Sequence, residues 1–446
     1  MRKIIATLHL LFLLALPLTA YPGEGAPALT LDECVKAALA NNHVLLAESE
    51  KLEAAKAGVG KAESSFMPRL DLSETYMRSD NPVMSFGAKL DQGRFTAADF
   101  DPSKLNSPHA IDNFNFRVQI TQPVFNGGKE WVGMKRAKLG LGAAGDSYSR
   151  SRQETVYRVV QAYYGVALAG EYVKVAGMAK DTTEAHVKLA QDFYNQGMLV
   201  GSEVLLAKVR LAEVTEMLIK AKNQEATARA ALNMILARPQ DTDFRLAGTL
   251  GYVDFPATLT ELQDEAVKDR PDLAGMDKTV ENMGEGIRLA RTDYLPILNF
   301  IARYDLDDRT PFAGDGNSYT LLGMLTWNVF DGFLTTNSVR EASAGYNASR
   351  HMLDQMKEGV LFEVRQAYNN LDEARQRIEV AKTAVDEGEE SLRIIQRRFE
   401  AGLTKTLDVL DAETALTRAR TNKAQALYDY NVELAQLKLA AGRMEY

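Results

Sequence analysis

The strongest constraint on this chain is that it contains itself twice. Ser65-Phe66-Met67-Pro68-Arg69-Leu70 returns as Asp293-Tyr294-Leu295-Pro296-Ile297-Leu298, an offset of 228, and at the same offset Ala38 meets Ala266, Leu45 meets Leu273 and Tyr76 meets Tyr304. A second block repeats at an offset of 205: Val124-Phe125-Asn126-Gly127 becomes Val329-Phe330-Asp331-Gly332, and Gln161-Ala162-Tyr163 becomes Gln366-Ala367-Tyr368. The 23-residue difference is an insertion in the first copy, between Tyr76 and Phe114. Fixed self-similarity of this kind calls for one structural unit built twice. The expected division is residues 21–238 for the first repeat and 239–446 for the second, each running helix, two strands, long helical hairpin.

Each copy carries two strands with a period of two. Phe114, Phe116, Val118 and Ile120 alternate with Asn115, Arg117, Gln119 and Thr121, and the second copy answers with Tyr319, Leu321, Gly323, Leu325 and Trp327. Leu70, Leu72 and Tyr76, matched by Leu298, Phe300, Ala302 and Tyr304, form the partner strands. Segments of about ten residues with one apolar face fit tilted strands crossing a bilayer. Four strands are too few to close a barrel, and an open edge is not tolerated in lipid, so chains must pool their strands. Three copies make 12, a closed count wide enough for a conduit, whereas a barrel of 8 fills its interior with side chains.

The first residues read as a processing signal, with Arg2 and Lys3 before an apolar run from Ile4 to Leu18 and a cut after Ala20. No other stretch has the length and apolarity of a spanning helix. The single cysteine excludes an internal disulfide, and Cys34, in Leu31-Asp32-Glu33-Cys34, is expected as a buried apolar residue and not as a lipid attachment point. Removing Arg2 and Lys3 takes the net charge from −8 to −10, which argues against nucleic acid as a partner.

Between Pro123 and Pro239 there is no proline, and none follows Pro311. Val360, Val364, Ala367, Leu371, Ala374, Ile378, Ala381, Val385, Gly388, Leu392, Ile395 and Phe399 step by 4 and 3 without a break, a heptad seam rich in small residues. Tyr194-Asn195-Gln196-Gly197 and Phe399-Glu400-Ala401-Gly402 each end a long helix on glycine. New helices are expected from Glu203 and Asp408.

The pattern [Tyr/Phe]-x-x-Gly-x5-[Asp/Glu]-Val-Leu-x-Ala, present twice, resembles the TolC family of outer-membrane channels. Val-Phe-[Asn/Asp]-Gly at both strand exits and Ala-Leu-Ala-Asn-Asn from Ala38 to Asn42 match as well. The resemblance implies a mainly α protein with a membrane β-barrel portion, a homotrimer joining a 12-stranded barrel to an α-helical periplasmic tunnel. It implies outer-membrane lipid around the barrel, and docking to an inner-membrane pump through a periplasmic adaptor. It further implies passive export by efflux or type I secretion, and that Asp408 and Asp411 constrict the entrance. The tips that meet the adaptor would be Tyr194, Gly197, Glu203, Phe399, Gly402 and Lys405. Where the family often carries a basic lock two places after the tip glycine, this chain has Thr404, with Lys405 next.

Read without the resemblance, Asp408 is an ordinary helix cap. Asp411 lies on the same helix face, and Leu206 replaces it in the other copy, so the hairpin itself does not require that acid. Gly140-Leu141-Gly142-Ala143-Ala144-Gly145 spells a dinucleotide fingerprint, but it falls inside a helical stretch and not after a strand. The four histidines left after cleavage are scattered. No nucleophile elbow, H-E-x-x-H or phosphate loop is present, so no enzyme, cofactor or metal is expected. The insertion, from Met77 to Asn113, reads as an external loop covering the barrel mouth. The competing assignment is a periplasmic adaptor with a long hairpin and no pore, which accounts for the helices and leaves four matched amphipathic strands unexplained.

Overall fold

The computed structural model describes residues 28–444; the expected signal segment lies outside them. A two-residue strand β1 (Ala28–Leu29) precedes α1 (Leu31–Asn41) and α2 (His43–Ser64). Next come β2 (Arg69–Ser79), α3 (Pro82–Asp91), a short 3₁₀ turn at Ala97–Phe100, α4 (Pro102–Asn106) and β3 (Ile111–Asn126). The long helices α5 (Lys129–Asn195) and α6 (Gly201–Ile235) form the first hairpin. The second half follows as β4 (Arg245–Leu246), α7 (Leu259–Asp269), α8 (Pro271–Arg291), β5 (Ile297–Asp308), β6 (Gly316–Thr326), α9 (Leu334–Glu400) and α10 (Thr406–Ala440).

Both offsets reappear in the element boundaries. α1, α2 and β2 start 228 residues before α7, α8 and β5, while α5 and α6 start and end 205 residues before α9 and α10. The local chemistry repeats too: Thr30 caps α1 with Glu33 reaching back, and Thr258 with Glu261 does the same for α7. α5 and α9 each hold 67 residues, a length of about 100 Å. Among the described residues no helix is long and apolar enough to cross a membrane.

The four long strands form one antiparallel sheet in the order β2-β3-β5-β6. Its two faces differ sharply. Leu70–Ile120–Ala302–Leu321 and Leu72–Val118–Tyr304–Tyr319 are rows of register partners on one face, and Leu70, Leu72, Tyr304, Tyr319 and Leu321 are exposed there. On the other face Asn113 and Asn115 donate to Asp307 (2.7 and 3.1 Å), Arg117 donates to Asp305 (2.7 Å) and Arg303 to Gln119 (2.9 Å). β3 is longer than the ten-residue expectation because that length covers only the hydrocarbon; its outer end continues to Ile111 and carries the insertion. Pro123 falls at a register shift against β5, the kind of irregularity at which strands accommodate a residue without an N–H.

At the exits from β3 and β6 the chain turns through paired left-handed residues, Gly127 and Gly128 in one copy and Gly332 and Phe333 in the other. A Cβ on Gly127 would stand 2.6 Å from the Thr292 carbonyl oxygen, so only glycine fits there. The heptad seam of α9 packs on α10: ten of its twelve residues are buried, and Gly388 and Ile395 are half-buried. A Cβ on Gly388 would lie 3.3 Å from Leu416, so the small residue sets the approach of the two helices. Cys34 is fully buried among Val35, Ala38, Val156 and Val159, and burial pushes its thiol up to about 11.

The insertion departs from the expected loop. Its α3 crosses the polar face of the sheet and anchors through Gln92, which is buried and donates to the Asp112 carbonyl (2.8 Å) and to Asn113 (2.7 Å). Asn81 and Asp101, each followed by proline, cap α3 and α4 and so start helices within the segment expected as a loop.

Candidate entrance and hairpin tips

Both hairpins turn by the same device. Gly197 (φ 76°) and Gly402 (φ 72°) sit one residue beyond the C-caps of α5 and α9. Gly197 N–H bonds to the Tyr194 carbonyl and Met198 N–H to that of Phe193, both 2.9 Å; Gly402 to Phe399 (2.9 Å) and Leu403 to Arg398 (2.8 Å) repeat the pattern. These paired bonds satisfy carbonyls that the helix end leaves free. The return helices begin at Gly201 and Thr406, two residues before the expected Glu203 and Asp408, because each acid occupies the third helical position and not the cap.

Asp408 reaches back from that position. Its carboxylate accepts from Lys405 N–H (3.1 Å) and from the Thr404 hydroxyl. The Thr404 bond, then the Lys405 amide, hold its carboxyl below the usual range. Asp411 stands one turn further on the exposed side of α10, with no side-chain partner among the described residues. The two acids therefore share one exposed helix face. Thr404, at the place of the family's basic lock, fixes Asp408 from within the same chain.

The other tip residues divide. Tyr194 is exposed and lies against Gly201. Phe399 is 2% exposed, stacked on Phe193 at 5.7 Å and against His186 at 4.9 Å. Its expected part in docking is corrected accordingly: it shapes the tip from inside. Glu203 is half-covered and one of its oxygens is buried without a partner. Sequence reading missed the exposed apolar side chains beside these residues, Met198, Val200, Leu205, Leu403 and Leu407.

It also missed a buried polar set just inside the tip. Glu413 of α10 is 5% exposed, accepts from Thr183 of α5 (2.9 Å), and leaves its second oxygen without a partner. His186 (6%) and Thr406 (0%) likewise hold a buried atom without a partner. Burial raises the Glu413 carboxyl and lowers the His186 imidazole. The available signal was periodicity, since Glu413 falls between Val409 and Leu416 on the apolar stripe of α10.

A family model described as outer membrane efflux protein matches residues 34–238 and 262–443. The chain belongs to this family. As a member of the outer membrane efflux protein family it is an outer-membrane export channel subunit with a long periplasmic helical part. It is similar over its whole length to the alkaline protease secretion protein AprF of Pseudomonas aeruginosa, at 26% identity and 90% coverage of that protein. Outer membrane protein TolC of Escherichia coli aligns at 23% identity over 73% of this chain and 69% of its own length. The crystal structure of the outer membrane protein VceC from Vibrio cholerae superposes with a TM-score of 0.76 at 17% identity, covering 92% of this chain and 96% of the other.

Proposed function

We propose that three copies of this chain assemble into a passive exit duct without catalytic activity, gated at its periplasmic end by Asp408 and Asp411. One observation carries the reading: the sheet leaves β2 and β6 unpaired on their outer sides and exposes an apolar face, while its polar face carries an internally bonded network. Unpaired edges in lipid demand further strands, and three sheets of this kind supply 12. The two units are taken as residues 21–238 and 239–446. The periplasmic adaptor alternative leaves that apolar sheet face without a role.

In the trimer the exposed Asp408–Asp411 face supplies six carboxylates near one axis. Like charges there repel one another and hold cations. The glycine tips, with Tyr194, Lys405 and the covered Glu203 and Phe399 behind them, form the docking end for a periplasmic adaptor linked to an inner-membrane pump. The similarity to a protease secretion protein along the whole chain favours a protein cargo.

The experiment is single-channel conductance of the purified protein in a planar bilayer, with and without a trivalent cation. The wild type should conduct weakly, prefer cations and be blocked. The double variant Asp408→Ala/Asp411→Ala should lose the block and conduct severalfold more, with the trimer intact. Unchanged conductance, selectivity and block in the double variant would remove the two aspartates from the gate.

A further inference from the structure

The insertion encloses a cavity of about 460 Å³, between α3, α4, the start of β3 and Arg309 of the β5–β6 loop. That volume lies within the ~300–1,000 Å³ of small-molecule sites. Its walls combine an apolar floor with uncompensated positive charge. Phe86 and Phe95 meet edge to face at 4.7 Å and build the floor.

The charges do not cancel. Lys89, Arg94, Lys104 and Arg309 line the cavity against two carboxylates, Asp99 and Asp112. Asp99 is committed to Lys89 at 2.6 Å, which holds its carboxyl far below the usual range. Asp112 is committed to Arg78, outside the lining, at 3.0 Å. Among the described residues Arg94 donates only to the neutral amide oxygen of Gln92 (2.9 Å), and Lys104 to the Ala98 carbonyl (3.3 Å). The guanidinium of Arg309 has no hydrogen bond or ion pair among the described residues. In a chain of net charge −8, two guanidiniums without a carboxylate in one cavity call for an anion.

The fit is preorganised on one side. Gln92, which orients Arg94, is itself pinned to the top of β3 through Asn113 and the Asp112 carbonyl. Arg309 arrives from a different connection, so a ligand held by both would tie the insertion to the β5–β6 loop. Guanidinium forks match phosphate oxygens in pairs, and a doubly charged group suits two arginines with a lysine at the rim. His109 lines the same cavity and adds a ring nitrogen to the donor set.

We propose that this cavity binds a phosphate group carried on a ring or other apolar body, the ring resting on Phe86 and Phe95 and the phosphate between Arg94 and Arg309. Its position at the outer end of the strands, in contact with the cell exterior, rests on the channel reading; the binding chemistry does not. Two sources share that chemistry: a phosphorylated sugar headgroup of an outer-leaflet glycolipid, or a free phosphate monoester.

The test uses the detergent-purified full chain in its native assembly. Phenyl phosphate, phenol and inorganic phosphate are titrated calorimetrically at low and high salt, and a second arm measures co-flotation with phosphatidylcholine vesicles with and without lipid A. Phenyl phosphate should bind saturably, more tightly than either fragment, and more weakly at high salt. Arg94→Gln/Arg309→Gln should weaken it about tenfold or more. The single change Arg309→Glu, at an exposed loop residue, should act in the same direction and guards against misfolding of the double variant. Co-flotation that rises with lipid A and falls in both variants supports the site and assigns the lipid source; phenyl phosphate binding without such lipid A dependence assigns the soluble one. Binding in neither arm, or binding that both variants leave unchanged, overturns the proposal. Channel conductance measured on the same preparation keeps that failure separate from failure of the duct reading.

Discussion

Arg270 shows how one residue holds this molecule's waist. It ends α7, begins α8 and is 4% exposed, yet it bears a full charge. The structure compensates by surrounding it with Asp272 and Glu363, each at 2.6 Å, and with the Ala440 carbonyl at 3.1 Å. One side chain thereby joins α8, α9 and the end of α10. Removing one partner of a buried pair leaves the other charges uncompensated, at a cost of about 3–5 kcal/mol. Arg270→Ala should therefore lower the denaturation midpoint steeply, and Arg270→Lys should recover only part because a single ammonium does not span both carboxylates. A midpoint unchanged by Arg270→Ala would show that the three helices are held by the surrounding apolar core alone.

Among the elements, the contact between the two hairpins near their tips carries a pH dependence. Glu413 of α10 is buried against Thr183 of α5, with Arg210 of α6 the charged group whose field reaches it and opposes the shift; His186 of α5 lies against Phe399 of α9. The Glu413 carboxyl is raised in the folded state, so its contribution is present in acid and is lost as pH rises through the raised value. His186 is lowered, so its contribution is present at neutral pH and above and is lost as pH falls. Glu413→Gln, which stays neutral, should be more stable than wild type on the alkaline side, with the gap closing as pH falls to the ordinary carboxyl value of 4.5 and below. Thermal midpoints across that range measure it. A gap that stays constant with pH would mean that Glu413 remains ionised or neutral throughout.

For the whole molecule, the decisive property is a sheet that is unfinished by itself. Among the described residues its outer strands β2 and β6 each have one hydrogen-bonded neighbour, while α5 and α9 carry the hairpins about 100 Å from it. Native mass spectrometry from detergent should give three chains per particle. A stable single-chain mass would refute the pooled barrel and return the periplasmic adaptor reading to the front.

The duplication, the strand alternation, the α9 seam and the tip glycines were all legible in the sequence, because each is a local rule with a fixed period or a single steric demand. A helix end needing φ > 0 announces itself as Gly197 or Gly402, and a half-buried strand as alternation from Phe114 to Thr121. What stayed hidden depends on residues far apart in the chain. Phe399 closes the α9 seam by its spacing and stands at a tip by its place in the chain, and only the arrival of Phe193 and His186 from α5 decides between the two by covering it. Glu413 lies on the apolar stripe of α10 by spacing, but its partner Thr183 is 230 positions away and shows only in the fold. Arg94 and Arg309 come from separate segments, and only the packing of the insertion against the sheet forms a cavity lined by the two arginines, with Gln92 behind it. The sequence alone determined the long strands, the long helices and their duplication, since periodicity and backbone sterics act within a few residues, while the short helices α3 and α4 of the insertion carry no such extended period. Only the tertiary structure decided which charges go uncompensated and which side chains are covered, since burial is a property of what arrives from elsewhere.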